Sequence, residues 1–221
     1  MLTIGIDDAG RGPLIGPMIL AGVLLSGEQE RKLKKENIKD SKQLSQNERV
    51  RLEKIIRAGV KNYEIVKVFP KEIDSHENLN TLEAEKSAEI INALNIGKVK
   101  EEEVKVIVDC PSTNIEAWQK TLLSYIKNSE NLKVSCEHKA DANYLSVGAA
   151  SILAKVTREN EVKKIKEQYG KVGSGYPSDP MTKEFLAKRG NELKDSGIFR
   201  KSWSTWKKMF PGNGQKSLTE F

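Results

Sequence analysis

Asp7, Asp8, Asp109 and Asp141 each fall where a strand-like run of residues ends or has just ended. Carboxylate oxygens are the ligands that hard divalent cations such as Mg²⁺ and Mn²⁺ prefer. Carboxylates far apart in sequence can converge on a pair of such ions, roughly 3.5–4 Å apart, that activates a water and stabilises the leaving oxygen of a phosphodiester. Taken singly, an aspartate at a strand end also serves as a turn or helix-capping residue. Directly after the first pair, Gly10-Arg11-Gly12 sets two glycines around a cation. Such a loop lets backbone N–H groups approach a phosphate or a sugar hydroxyl closely, although alone it is also an ordinary turn. Its place beside paired carboxylates favours the ligand loop. Adjacent side chains of a regular strand point to opposite faces, so Asp7 and Asp8 are expected to meet one ion only if the turn begun at Gly10 distorts the strand end.

The elements that must position these groups follow from periodicity. Leu2-Thr3-Ile4-Gly5-Ile6 alternates as a strand running into Asp7, and the apolar run Met18 to Leu25 follows at hairpin distance as its antiparallel partner. Ser45 and Glu48 have capping-box spacing and start a helix carrying Val50, Leu52, Ile55 and Ile56, ending near Gly59. Tyr63 to Phe69 reads as a strand closed by Pro70, and Asn80 with Glu83 caps a helix from Thr81 to about Leu94. Val104 to Val108 is a strand delivering Asp109, Ile115 to Ile126 a helix, Lys133 to Cys136 a short strand, and Tyr144 to Tyr169 a long helix ended by Gly170. This order predicts an α/β fold, a mixed sheet flanked by helices, with Asp109 and Asp141 beyond carboxyl ends of strands, where ligands of open sheets collect. From about Gly173 the composition turns to Gly, Pro, Ser and charge, with short helical stretches at Thr182 to Leu193 and Ser202 to Met209.

The composition sets the class. The 221 residues suffice for one generous domain with its own core. Lys and Arg number 37 against 31 Asp and Glu, a net charge of +6. That balance fits a polyanionic partner, and the density of both signs equally fits a surface laced with ion pairs. The two cysteines, Cys110 and Cys136, sit in apolar runs and read as buried thiols of a reducing compartment. Pro17 to Leu25 is too short to span a bilayer, so a cytoplasmic protein is expected, by default a monomer.

In this order, Gly5-Ile6-Asp7-Asp8-Ala9-Gly10-Arg11-Gly12-Pro13, Asp40-Ser41-Lys42, Asp109 and Glu137-His138-Lys139-Ala140-Asp141 resemble the type 2 ribonucleases H, in particular the archaeal ribonuclease HII branch. The resemblance continues through Ala149-Ala150-Ser151-Ile152-Leu153-Ala154-Lys155-Val156-Thr157-Arg158 and Gly173-Ser174-Gly175-Tyr176-Pro177-Ser178-Asp179-Pro180. It implies a ribonuclease H-like five-stranded mixed sheet over 1–172, a substrate-contacting helical extension over 173–211 and a tail over 212–221. It implies an endonuclease that hydrolyses the RNA strand of RNA–DNA hybrids and incises duplex DNA 5′ of single ribonucleotides, leaving 5′-phosphate and 3′-hydroxyl ends. By the same resemblance Asp7, Asp8, Asp109 and Asp141 hold two Mg²⁺ or Mn²⁺ ions, Gly10, Arg11 and Gly12 read the ribose 2′-hydroxyl, and Tyr176 stacks near the ribonucleotide. The 2′-hydroxyl is what distinguishes RNA from DNA at a site. Lys42 resembles a phosphate-contacting lysine. The family usually has glutamate where this chain has Asp8, one methylene shorter.

Other residues carry weaker signals. Lys155 and Arg158 lie on adjacent helical positions and either reach phosphate or form a solvated basic face. His138 reads as a structural group rather than a general base. Trp203 and Trp206 read as a helix face packed on the core, with Arg200, Lys201, Lys207 and Lys208 available to a nucleic-acid backbone. Gln215, Leu218 and Phe221 resemble the short motif by which DNA-processing enzymes bind sliding clamps, spaced to present one apolar helical turn. Two other readings compete: a hybrid-binding protein that cuts poorly because of Asp8, and a DNA resolvase or integrase, for which Gly10-Arg11-Gly12 and Tyr176 have no role.

Overall fold

A computed structural model describes residues 1–36, 38, 44–95 and 103–211. The N-terminal alternation forms strand β1 (Leu2–Ala9) and the apolar run after it strand β2 (Met18–Ser26). They pair antiparallel in unbroken register from Leu2 opposite Ser26 to Ala9 opposite Ile19. With β3 (Tyr63–Val68), β4 (Val104–Asp109) and β5 (Leu132–Glu137) they make a five-stranded sheet of order β3-β2-β1-β4-β5. β4 runs parallel to both β1 and β5, so the sheet is mixed, as expected.

The helices, in chain order, are α1 (Gly27–Lys34), α2 (Gln46–Gly59), α3 (Pro70–Ser75), α4 (Leu79–Leu94), α5 (Ile115–Tyr125), α6 (Ala140–Asn143), α7 (Leu145–Tyr169), α8 (Pro180–Arg189) and α9 (Ser204–Met209). The chain divides into two units. The first comprises Met1–Ala9, Ile19–Lys67 and Asn78–Thr157; the second comprises Gly10–Met18, Val68–Glu77 and the residues from Arg158 on.

In the first unit, Ile19, Ala21, Val23 and Leu25 pack with Leu52 and Ile56 of α2 and with the small and apolar residues of α7 from Ala149 to Val156. The opposite face of β2 meets α4, whose Ile90 and Leu94 lie where a side chain on Gly22 would project. Burial on both faces explains why β2 reads as a continuous apolar run. In the second unit, Leu14, Ile15, Val172, Phe185, Leu186, Ile198, Phe199 and Trp206 form a separate core. Trp206 packs between the tilted rings of Phe199 and Phe210, centroids 4.9 and 4.6 Å away, in keeping with its expected place on the core.

Element boundaries differ from expectation where two residues compete for one role. β3 stops at Val68 because Pro70 takes the first position of α3, where its fixed φ suits a helix start. The cap of α4 is Asn78, whose side chain accepts from the Asn80 N–H at 2.8 Å; Asn80 is already helical, and Glu83 is buried rather than capping. Ser45 caps α2 through the Glu48 N–H, but the reciprocal capping box is at Ser26 and Gln29 of α1. Both cysteines are buried free thiols. No helix among the described residues is long and apolar enough to cross a membrane.

Candidate active site

Three of the four predicted carboxylates meet in the first unit at the end of β1. Asp7 and Asp8 from β1 and Asp109 from β4 line one narrow pocket together with Glu83 and Ser87 of α4 and Trp118 of α5. The strand end is not distorted in the way expected of it, because β1 keeps its register with β2 through Asp7, Asp8 and Ala9. Instead the parallel ladder to β4 stops at Ile6 opposite Val108, so the pocket opens between β1 and β4. Asp109 accepts from the Ala140 N–H at 2.9 Å, which ties the end of β4 to the first residue of α6. Lys139 precedes that helix at φ +58°, a conformation few residues other than glycine adopt. Asp141 is buried on α6 beside Ala140, outside the lining of the pocket.

Asp7 is 5 % exposed. Its carboxyl is held well above the ordinary carboxylate range, first by burial and then by the charge of Asp8; Asp109 adds to the rise. A hydrogen bond with Ser151 and the charge of Lys155, both on α7, act in the opposite direction. One Asp7 oxygen also accepts from the Asp8 N–H at 2.7 Å. A buried acid crowded by two others gains from a proton or a cation, and an all-carboxylate donor set suits a hard divalent ion. Among the described residues no three such side chains are already drawn together as an ion cage, so an ion would have to draw these oxygens inward.

The second unit holds the glycine loop. Gly10 has φ +83°, and a side chain there would strike Cδ and Nε of Arg158 at 2.5 Å, so glycine is required on two counts. The Arg158 guanidinium lies 5.2 Å from the centroid of the Tyr176 ring and donates to the Ser174 carbonyl at 3.1 Å. A side chain on Gly12 would project toward the same ring, 3.6 Å from its Cε1. Gly10, Gly12, Arg158 and Tyr176 are thereby brought together. Burial holds the Arg158 pKa below its usual value, and its Nε has no hydrogen-bond partner among the described residues. Tyr176 keeps 40 % of its surface exposed. Its turn is fixed from below: Thr182 accepts from the Gly175 N–H at 3.0 Å and donates to the Val172 carbonyl. Asp179 accepts from Ser174 and Met181, and these bonds, that of the Ser174 hydroxyl first, hold its carboxyl down at about 2.

Several placements differ from expectation or were missed. Arg200 is fully buried and therefore unavailable to a nucleic-acid backbone; its side chain donates to the carbonyls of Gly10, Arg11 and Gly16. Trp203 packs on the second core, as expected, but its Nε1 also donates to the Gly12 carbonyl at 3.1 Å. His138 is exposed, its Nδ1 3.0 Å from the Cys110 carbonyl, which fits a structural group. Ser87 entered no sequence argument, Glu83 entered only as a helix-cap residue and Ser151 only within a block of the resemblance. A signal existed: Glu83 and Ser87 are polar residues four apart within the apolar stripe of α4, a buried interruption that asks for a polar neighbour. Lys42 and the tail residues Gln215, Leu218 and Phe221 lie outside the described residues.

The family model described as Ribonuclease HII matches residues 4–206. The chain is 42 % identical over 211 residues to the Ribonuclease HII of Thermococcus sibiricus, covering 93 % of this chain and 89 % of that protein. Its structure resembles the ribonuclease H2 of Pyrococcus horikoshii, with a TM-score of 0.84, 39 % identity, and coverage of 95 % of this chain and 97 % of that one. It also resembles the RNase HII in the PCNA:RNase HII complex of Archaeoglobus fulgidus, with a TM-score of 0.79, 38 % identity and full coverage of both chains. The sheet and its flanking helices are thus of the ribonuclease H-like kind.

Proposed function

We propose that this chain, which belongs to the ribonuclease HII family and is a ribonuclease H hydrolase, hydrolyses the RNA strand of RNA–DNA hybrids and cuts duplex DNA 5′ of a single embedded ribonucleotide, with two Mg²⁺ or Mn²⁺ ions. The observation that carries the reading is the burial of Asp7 in a pocket shared with Asp8 and Asp109. Three carboxylates so placed suit divalent cations that draw their oxygens inward, and Asp141 of α6, outside the pocket lining, would be the fourth ligand. Such ions, when bound, lower the pKa of an attacking water and offset charge on the leaving oxygen. The protein's own part is to aim the carboxylates and to temper the rise that burial and Asp8 impose on Asp7. Ser151 and Lys155 favour the charged form of Asp7, and the Ala140 N–H holds one oxygen of Asp109.

The second unit supplies selection. Backbone N–H groups of the Gly10-Arg11-Gly12 loop would read the ribose 2′-hydroxyl, and the exposed Tyr176 ring, backed by Arg158, would stack on the sugar. Lys42 and Lys155 are the candidate phosphate contacts. Arg158, with its guanidinium committed to Ser174 and Tyr176, would act on substrate through that ring.

The test is a labelled duplex carrying one ribonucleotide, beside a full hybrid and an all-DNA control of equal sequence, each with Mg²⁺ or Mn²⁺. Cleavage at the ribonucleotide and within the hybrid is expected, with the control intact. Asp8→Glu should keep the selectivity and change the rate or the preference between metals, since the site tolerates little displacement. Retention of the duplex without product would favour a binder, and equal cutting of the control a resolvase.

The tail adds a partner. The solved complex of the Archaeoglobus fulgidus relative with PCNA supports a sliding-clamp contact through Gln215, Leu218 and Phe221. Deleting Gln215 to Phe221 should abolish co-elution with a clamp while cleavage of short duplexes continues. Unchanged co-elution removes the tail from that role.

A further inference from the structure

The peptide plane fixes what Arg200 does to the glycine loop. Its side chain is 0 % exposed and donates through Nη2 to the Gly10 carbonyl at 2.6 Å, through Nη1 to the Arg11 carbonyl at 2.7 Å and through Nε to the Gly16 carbonyl at 3.0 Å. Trp203 lies beneath the same guanidinium, 5.0 Å from ring centroid to Cζ, and its Nε1 takes the Gly12 carbonyl. The four carbonyls of Gly10, Arg11, Gly12 and Gly16 are thus engaged by two side chains of one short segment.

All peptide bonds of the described residues are trans, so each carbonyl points opposite to the N–H of the following residue. Residues 13 and 17, which follow Gly12 and Gly16, are prolines and carry no N–H. The residues that follow Gly10 and Arg11 are Arg11 and Gly12. The arrangement therefore turns two neighbouring N–H groups, those of Arg11 and Gly12, away from the buried guanidinium. Two adjacent donors on one side of a loop suit a single hydroxyl oxygen, with its two lone pairs.

We propose that Arg200 is a positioning residue for ribose selection: by holding the carbonyls of Gly10, Arg11 and Gly16, with Trp203 holding that of Gly12, it aims the Arg11 and Gly12 N–H pair at the 2′-hydroxyl. The proposal rests on the ribose-reading role given to this loop above. Arginine is required because its planar fork presents three donors in fixed directions, which a lysine ammonium on a flexible stem does not reproduce. Asp74 of α3 holds the segment in turn. It accepts from the Lys201 and Ser202 N–H groups at 2.7 and 2.9 Å and from the Ser202 hydroxyl at 2.6 Å.

The experiment compares wild type, Arg200→Lys and Trp203→Phe in two measurements. One is kcat and KM on a duplex with a single ribonucleotide; the other is the inhibition constant of an uncleaved all-DNA duplex used as competitor. Arg200 touches loop carbonyls and not solvent, so the competitor constant should stay within about twofold of wild type in both variants. Specific kcat/KM should fall roughly ten- to hundredfold for Arg200→Lys, the scale of a displaced positioning group, and severalfold for Trp203→Phe, which keeps the ring and removes one donor. Should Arg200→Lys not fold, Trp203→Phe decides, because selection must still fall while competitor binding holds. A parallel rise in the competitor constant would make Arg200 a support for backbone binding in general and overturn the proposal. So would unchanged kcat/KM in the folded variants. If wild type itself cuts all-DNA duplex as readily as the mixed one, the ribose-reading role fails first, and that result is visible before any variant is compared.

Discussion

Asp7→Asn is expected to remove hydrolysis and, without divalent cations, to make the protein more stable. The activity loss follows from the donor set: even partners outside the ligand shell cost about 10–100-fold when removed, so loss of a buried ligand should cost at least that. The stability gain follows from the same burial. Asp7 ionises in a dry pocket against Asp8 and Asp109, and asparagine retains an oxygen for the Asp8 N–H and a partner for Ser151 while discarding the charge. Relief of such a functional strain is on the order of 1–2 kcal/mol, or about 2–8 °C in Tm for a chain of this size.

The pH dependence has a definite sign. The native carboxyl holds its proton to a higher pH than the ordinary value of 3.8. Between 3.8 and the raised native value the unfolded chain therefore binds fewer protons than the folded one, and stability falls as pH rises. Above the native value the full penalty persists. Metal-free wild type should lose stability upward from pH 3.8 relative to Asp7→Asn, and saturating Mg²⁺ or Mn²⁺ should restore it in wild type alone, because a ligand that binds only the folded state stabilises it. Melting curves in chelator and in metal, at acidic and neutral pH, measure all of this. A less stable Asp7→Asn in chelator at neutral pH would show that Asp7 holds the fold together instead of straining it.

What the sequence disclosed about this site divides along the range of the forces involved. Strand periodicity is local, and it placed β1, β2, β4 and β5 well enough to put Asp7, Asp8 and Asp109 at strand ends. The two-sided burial of β2 showed as an unbroken apolar run for the same reason. Caps were legible only as types: Asn78 and Asn80 both qualify, and the one that wins is decided by where α4 must begin to lay Glu83 and Ser87 over the pocket. The short helix α6 was not foreseen, because its geometry hangs on a left-handed Lys139 and on Asp109 accepting from Ala140, a contact 31 residues long. Arg200 was read as a surface cation from its neighbours Lys201 and Trp203. Its actual partners are carbonyls 184, 189 and 190 residues away, and no local pattern encodes such a contact. Nor does local pattern reveal that Gly10–Met18 and Val68–Glu77 group with the residues after Arg158.

Gly5→Ala should be the most damaging substitution that touches no functional side chain. Gly5 lies in the middle of β1, opposite Val23 on one side and Ile107 on the other. A methyl group there would fall on the backbone of Ser146 and Val147, the first turn of α7, including the Ser146 carbonyl oxygen at 2.6 Å. Backbone held by two sheet ladders on one side and a helix on the other has no flexible end to move aside. Overpacking of this kind costs about 1–3 kcal/mol even where side chains can yield, so about 3 kcal/mol or more is expected, roughly 6–12 °C in Tm. The same shift of α7 would carry Ser151 and Lys155 away from Asp7. A misplacement near 1 Å can cost about a hundredfold in rate, so kcat should fall steeply in whatever fraction folds, while binding of an all-DNA competitor changes little. Gly59→Ala is the matched control, since no described residue beyond its chain neighbours and own helix backbone lies within 4 Å of a Cβ there and alanine in a helix is favoured by up to about 1 kcal/mol. If both variants melted with wild type, α7 would not be seated tightly on Gly5, and the alignment of Asp7 by Ser151 and Lys155 would lose its physical basis.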